Sequence, residues 1–340
     1  MLQVMRQPVD ILRNRFSSKA IILMYHRVAE VSQDPWALAV TPKNFNEHLR
    51  IIRQQAIPLK LHELVQAQQE GGLPDRVVAV TFDDGYSDNF YNAAPLLNQS
   101  QIPATIFTVT GYTGTNCEFW WDELARILLQ PRPLPPFLEL TLAGKPQTWH
   151  LGMATDYHIE DMERDRCYKA WEAPPDSRLG FYYRVWAHLR PLLASQQKQA
   201  IVEIQAWAND TSITRSSCRP MTMDQIIRLD QGGLITIGAH TVSHPLLSKH
   251  QPAVQKAELL KSKHALETWL NRPVTLFAYP FGDYAQETRE IAREVGFCCA
   301  CTTQSQRVSR GSDLFQLPRY GVENCSGDEF AQKLSAWFSR

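Results

Sequence analysis

Short runs of apolar, largely β-branched residues recur along the chain, and each ends in polar or glycine-containing sequence. They are Ala20–Tyr25, Val77–Phe82, 104–109, 234–238, 274–279 and 296–302. Continuous apolar character over about six residues, without alternation, suits strands covered on both faces, and therefore a parallel sheet or barrel. Between the runs the spacing turns helical. Thr41 followed by Pro42 reads as the N-cap and first residue of a helix running through Gln54. Thr222 with Gln225 has capping-box spacing for a helix to Asp230, stopped by Gly232 and Gly233. Further helical patterns cover 251–271 and 284–294. Strand followed by helix, repeated, predicts an α/β fold of barrel type.

The stretch 111–221 breaks this rhythm. It carries WWDELARILL, the proline-rich PRPLPP at 131–136, and long helical patterns rich in aromatics, among them Trp171, Tyr182, Tyr183, Trp186 and Trp207. The pattern predicts a discontinuous α/β barrel domain made of 20–110 and 222–325, a largely helical insertion over 111–221 covering one end of the barrel, and a leader at 1–19. The aromatics read mainly as the insertion's own core, with a minority free to face a site mouth, where flat rings stack on sugars.

Composition changes this picture little. In 340 residues, 35 Lys and Arg balance 35 Asp and Glu, so no overall field attracts nucleic acid or an anionic membrane. The leader lacks the apolar core of a secretory signal, since Pro8, Asp10, Arg13 and Arg15 interrupt it. No apolar run is long enough to span a bilayer. Leu2, Ile11, Leu12 and Phe16 with Arg6, Arg13 and Arg15 admit a weak interfacial helix and peripheral membrane contact; packing against its own domain is the plainer alternative. Seven cysteines without regular spacing make no disulfide framework. Cys298, Cys299 and Cys301 read as small apolar residues of a buried strand, because no second pair completes a thiolate metal set. The cysteines and the leader together lead to the expectation of a cytoplasmic protein.

The chain has no GxGxxG, GxxxxGK[ST], HExxH or GxSxG, which removes the usual support for dinucleotide binding, P-loop chemistry, zincin proteolysis and a nucleophile elbow. Two other segments stand out. In Val80-Thr81-Phe82-Asp83-Asp84-Gly85-Tyr86, two carboxylates leave the C-terminal end of an apolar strand, where barrels place their active sites. In Gly238-Ala239-His240-Thr241-Val242-Ser243-His244-Pro245, two histidines four apart follow another strand. Each alone has a plain structural reading, as a solvated turn or as hydrogen-bonded structural histidines. Together, one carboxylate and two imidazoles supply the three protein ligands of a catalytic zinc-type site, and the other carboxylate remains as general base. Such an ion brings the pKa of water to near 7; zinc, cobalt and nickel all suit these donors.

TFDDG with HTVSHP resembles the polysaccharide deacetylases of carbohydrate esterase family 4, the NodB-like fold, from about Ala20 to Tyr320 apart from the insertion. The resemblance implies a distorted (β/α) barrel, Asp83 as catalytic base, and Asp84, His240 and His244 as metal ligands. The family's third motif has an arginine where this chain has Ala278, within Phe277-Ala278-Tyr279-Pro280-Phe281-Gly282. Through that motif it implies oxyanion and substrate positions at the Phe281 backbone N–H and at Tyr279. Arg319, in Leu-Pro-Arg-Tyr, is the candidate replacement for the missing cation, with a plain surface arginine as the alternative. The family's late histidine is also missing, since none follows His264. Instead Met24-Tyr25-His26-Arg27 is similar to the early motif of the poly-N-acetylglucosamine deacetylases, in which the motif order is permuted and this histidine is the acid.

The implied function is metal-dependent hydrolysis of the N-acetyl group of an amino sugar in an N-acetylated glycan or glycan precursor, tied to surface or exopolysaccharide metabolism. An ionised base and a protonated acid would give a bell-shaped pH profile. Alternatives are a C–N hydrolase of the same fold acting on a small amide or a lipid-linked sugar, and a catalytically degenerate glycan-binding domain.

Overall fold

The computed structural model describes residues 20–339; the leader and both readings of it lie outside that range. The apolar runs form β1 (Ala20–Tyr25), β2 (Val77–Phe82), β3 (Ala104–Thr108), β4 (Ile235–Ala239), β5 (Leu276–Ala278) and β6 (Cys299–Cys301), joined by β7 (Tyr320–Gly321). All pair in parallel in the order β6-β5-β4-β3-β2-β1-β7, and a short strand, Ile57–Pro58, lies beside β2. β5 and β6 are shorter than their apolar runs. Their ladder continues one residue each way, Cys298 donating to the Thr275 carbonyl and Tyr279 to that of Cys301.

The strands lack polar alternation because both faces are buried, and the pleat sorts their side chains into two cores. Ile21, Leu23 and Tyr25 of β1 pack with Val78, Val80 and Phe82 of β2 against helical residues such as Phe45, Leu49, Leu259 and Phe330. The opposite parity, Ala20, Ile22, Val77 and Ala79, gathers with Phe107, Leu276, Ala278, Cys299 and Cys301. Cys299 and Cys301 are thus core residues, whereas Cys298, expected to be buried with them, is exposed just before β6; all seven cysteines are free. Residues 317–321 draw the two sheet edges together. Leu317 bridges Cys301 of β6, and three residues later Tyr320 pairs with Leu23 of β1. The sheet therefore curls into a distorted α/β barrel with this segment as its seam.

The helices follow their caps. Thr41 accepts from the Asn44 N–H ahead of Pro42–Gln55, and Thr222 with Gln225 closes a capping box on Met223–Gln231. Between β3 and β4 lie helices Trp120–Leu128, Ile159–Asp165, Arg178–Leu189 and Ala194–Trp207. The sequence predicts a largely helical region, and beside its helices the structure adds an unexpected antiparallel hairpin, Phe137–Leu142 and Lys145–His150. Its turn, Ala143-Gly144, has φ of 49° and 80°, the mirror-image geometry that matches strand twist. Leu138, Leu140 and Leu142 are buried and join the Trp121, Tyr182 and Ile204 core. No helix among the described residues is long and apolar enough to cross a membrane.

Candidate active site

Parallel strands end on one rim, and the period of two decides which side chains point inward there. His26 continues the Ala20–Ile22 parity of β1, Asp83 that of Val77 and Ala79, and His240 that of Thr236 and Gly238. Register keeps these ends level: Tyr25 lies opposite Phe82, and Thr108 opposite Ala239.

Two strained turns bring the remaining groups in. After Asp83 the chain enters the left-handed region at Asp84 (φ 69°) and Gly85 (φ 80°). A Cβ at Gly85 would stand 2.9 Å from Thr108 Cγ2, so both conformation and space require glycine. The second turn has Thr241 at φ 67° and His244 at φ 59°. There the His244 N–H donates to Thr241 Oγ1 at 3.0 Å. Glu258 clamps this loop, accepting from the Val242 and Ser243 N–H groups at 2.8 and 2.9 Å and from Ser243 Oγ at 2.8 Å. Left-handed non-glycine residues cost of order 1–3 kcal/mol each and persist where surrounding structure enforces them.

The turns converge. Donor atoms of Asp84, His240 and His244, all buried, lie within 4.8 Å of one another. Asp84 Oδ1 is 3.6 Å from His240 Nε2 and 3.4 Å from His244 Nε2, and has no hydrogen-bond partner among the described residues. His240 Nδ1 lies 2.8 Å from the Ala278 carbonyl, which only accepts; the proton is therefore on Nδ1 and the Nε2 lone pair faces the group. An orphaned buried carboxylate oxygen facing imidazole nitrogens is costly unless a cation joins them. The three residues fit a divalent metal ion.

Asp83 lies beside this group in a different environment. Arg319, fully buried, forks onto it, Nη1 to Oδ1 at 2.7 Å and Nη2 to Oδ2 at 2.6 Å. The fork is itself held by Thr302 O on Nε (2.9 Å) and by Thr81 Oγ1 on Nη1 (3.1 Å). Arg319 is therefore no surface arginine. Burial alone would raise the Asp83 pKa, but Arg319, with His240 and His26 behind it, outweighs burial and holds the carboxyl well below its ordinary range. Burial and the neighbouring Asp83 charge push Asp84 the opposite way. Burial lowers His240 and His244, keeping both imidazoles in the neutral, ligating form. Burial also takes His26 down to about 4, against the pull of Asp83.

The sequence model of the polysaccharide deacetylase family matches residues 70–131 and 183–300. This chain belongs to the polysaccharide deacetylase family. YxkH of Bacillus subtilis, named for polysaccharide deacetylation, is 22% identical over 317 residues, 92% of this chain and 75% of that relative. The poly-β-1,6-N-acetyl-D-glucosamine N-deacetylase of Staphylococcus aureus is 29% identical over 110 residues, 28% of this chain and 38% of its own length. Among solved structures, the deacetylase PplD of Streptococcus pyogenes superposes with a TM-score of 0.58 at 20% identity, over 94% of this chain and 99% of PplD. IcaB of Ammonifex degensii gives 0.57 at 18%, over 96% and 99%. At these identities the likeness is one of fold. The family match includes Asp83, Asp84, His240 and His244, whereas His26 and Arg319 lie outside it.

In this deacetylase the four motif residues and His26 line one cavity of about 390 Å³. Phe281 lines it too, in the left-handed region at φ 58°, its ring 4.4 Å from that of His244. Tyr279, expected at a substrate position, does not reach the cavity. It has outward parity on β5: its ring packs with Phe277 and Tyr284, its hydroxyl donates to Phe315 O at 3.1 Å, and its N–H is spent on Cys301. The sequence leads to the expectation that a minority of the aromatics face the site mouth, without saying which. Of the cavity walls, Trp121, Trp171, Trp186 and Arg190 come from the 111–221 stretch and Trp36 from the loop after β1. The tryptophans were visible as composition, but nothing local in the sequence says which ones turn toward the site.

Proposed function

We propose that this chain hydrolyses the N-acetyl group of an amino sugar in a glycan or glycan precursor, releasing acetate, with a divalent metal ion held by Asp84, His240 and His244. The observation that carries this reading is the Arg319-paired Asp83 carboxylate sharing one cavity with that three-residue group. The donor set suits zinc first, with cobalt and nickel compatible. When bound, such an ion supplies a Lewis acid for the acetamide carbonyl and acidifies water.

The residues of the chain do the rest. Asp83, ionised across the working range, receives the proton of the attacking water. Its lowered pKa makes it a weak base, so its contribution is orientation, which the Arg319 fork fixes. The Phe281 N–H is assigned to the carbonyl oxygen as that oxygen gains charge. His26 is uncharged before reaction, because burial takes it down to about 4. The proton it hands to the departing amine is therefore the one Asp83 takes from the attacking water and passes on to the more basic imidazole, which returns Asp83 to its ionised form. With His26 neutral at rest, activity should hold on the alkaline side rather than follow the bell-shaped profile expected from the sequence, which a kcat profile against pH checks. Arg319 supplies from the seam the cation that Ala278 lacks, which weighs against a degenerate binding domain.

The test is acetate release from N-acetylglucosamine oligomers, with small imides as a parallel arm, combined with metal analysis. Wild type should release acetate from the oligomers. Asp83→Asn should lose turnover and keep its metal, and His240→Ala should lose the metal. A fully active Asp83→Asn variant, or unchanged metal in His240→Ala, overturns the assignment.

A further inference from the structure

The cavity above the catalytic floor has an aromatic wall with a single lysine or arginine among its described lining residues, Arg190. Arg190 follows the helix Arg178–Leu189, and its guanidinium lies over two rings, 4.7 Å from the centre of Trp186 and 5.7 Å from that of Phe281. Its Nε is buried and has no hydrogen-bond partner among the described residues. The buried arginines are matched, Arg27 to Asp88, Arg126 to Asp210, Arg178 to four carbonyls and Arg319 to Asp83, whereas Arg190 is half-buried in the cavity wall and has no acidic partner among the described residues; Arg126, Arg132 and Arg219, outside the cavity, also have an unpartnered Nε. Nor is Arg190 needed as a counter-ion for Asp83, which Arg319 already neutralises.

A guanidinium stacked on aromatic faces keeps its in-plane N–H edge available, and that edge fits two oxygens of a phosphate or carboxylate. Trp36, Trp171 and Trp186 line this part of the cavity with apolar ring surface, beside which an ion pair is stronger than on a fully open surface. Trp36 and Trp171 stack on each other at 5.9 Å, and Trp171 remains 48% exposed at the mouth, leaving ring surface for a sugar.

We infer that Arg190 selects acetamido sugars that carry an anionic substituent, phosphate or carboxylate, held against the tryptophan wall while the acetamide reaches the floor. The inference rests on the deacetylase reading above and names its substrate class.

Three probes test it on the metal-loaded protein: a neutral N-acetylglucosamine oligosaccharide, the same oligosaccharide bearing a phosphate monoester, and one bearing a uronic carboxylate. Acetate release gives KM and kcat, and calorimetry gives affinity independently of turnover. Wild type should show a KM about tenfold lower for one or both anionic probes, the arms telling phosphate from carboxylate selection. Arg190→Gln should erase that preference by raising KM for the anionic probes alone, with kcat unchanged, and Arg190→Lys should restore part of it. Equal KM and equal affinity for neutral and anionic probes in wild type overturn the inference. So does an Arg190→Gln variant that weakens all three probes alike, which would make Arg190 a prop for Trp186. Absence of acetate from every probe would sink the deacetylase reading instead, and the calorimetric comparison would still judge Arg190.

Discussion

Asp83 and Asp84 are neighbours in sequence yet opposite in electrostatic state, because Arg319 forks onto Asp83 and outweighs burial there, while burial and the Asp83 charge raise Asp84. Arg319→Gln would leave the buried Asp83 charge without its partner. The expected loss is about 3–5 kcal/mol of stability and about 10²-fold in kcat from lost orientation. Adding Asp83→Asn should then restore stability toward that of Asp83→Asn alone, a non-additivity readable by denaturant titration. The four motif residues were legible in the sequence because each pair is local and follows an apolar run. His26 shared that signal. Arg319 was legible only as a candidate for a missing cation, since its partner lies 236 positions away. Tyr279 was misplaced by reading the motif without the pleat: Phe277 and Tyr279 share the outward parity and Ala278 the inward one.

The loops at the strand ends are held by side chains from other elements. Glu258, on the helix Pro252–Leu270, is the acceptor for two backbone N–H groups next to His244. Glu258→Ala should lower metal affinity about 10- to 100-fold, as expected when a ligand's outer support is removed, while leaving Asp83–Arg319 intact; unchanged affinity by competitive chelation would refute this. Gly85→Ala should unfold the turn or abolish activity, because its Cβ meets Thr108 and its φ is 80°. At this scale most helices could be read from caps and periodicity. The hairpin at 137–150 also carries a local signal, Phe-Leu-Glu-Leu-Thr-Leu followed by Ala-Gly, which the largely helical reading of 111–221 passes over. The residues that build the cavity wall were not readable, since tertiary packing alone turns Trp186 inward and leaves Trp171 at the mouth.

The molecule as a whole should be acid-sensitive through a histidine far from the chemistry. His48 is fully buried between the helices Pro42–Gln55 and Gly327–Ser339, stacked on Phe330 at 4.2 Å, with Nε2 2.9 Å from the Cys325 carbonyl. Burial takes its pKa down to about 4, against the opposing pull of that carbonyl. The unfolded chain binds a proton near 6.5 while the folded chain resists until about 4, so stability is complete above 6.5 and falls as pH drops through this window. The share of His48 is at most about 3 kcal/mol. His48→Gln should flatten the slope between pH 6.5 and 4 in denaturant titrations; an identical slope would show that other groups carry it. The parallel barrel itself was legible in the unalternating apolar runs. Its closure was not, because a two-residue strand such as Tyr320–Gly321 leaves no pattern to find.

That seam sets an order of events. The guanidinium that aligns the proton acceptor, Arg319, follows Asp84, His240 and His244 in the chain, so a ribosome-tethered chain can hold every donor for the proposed ion and still lack an aligned base. Competence for the proposed reaction should come only when the closing segment docks between β6 and β1.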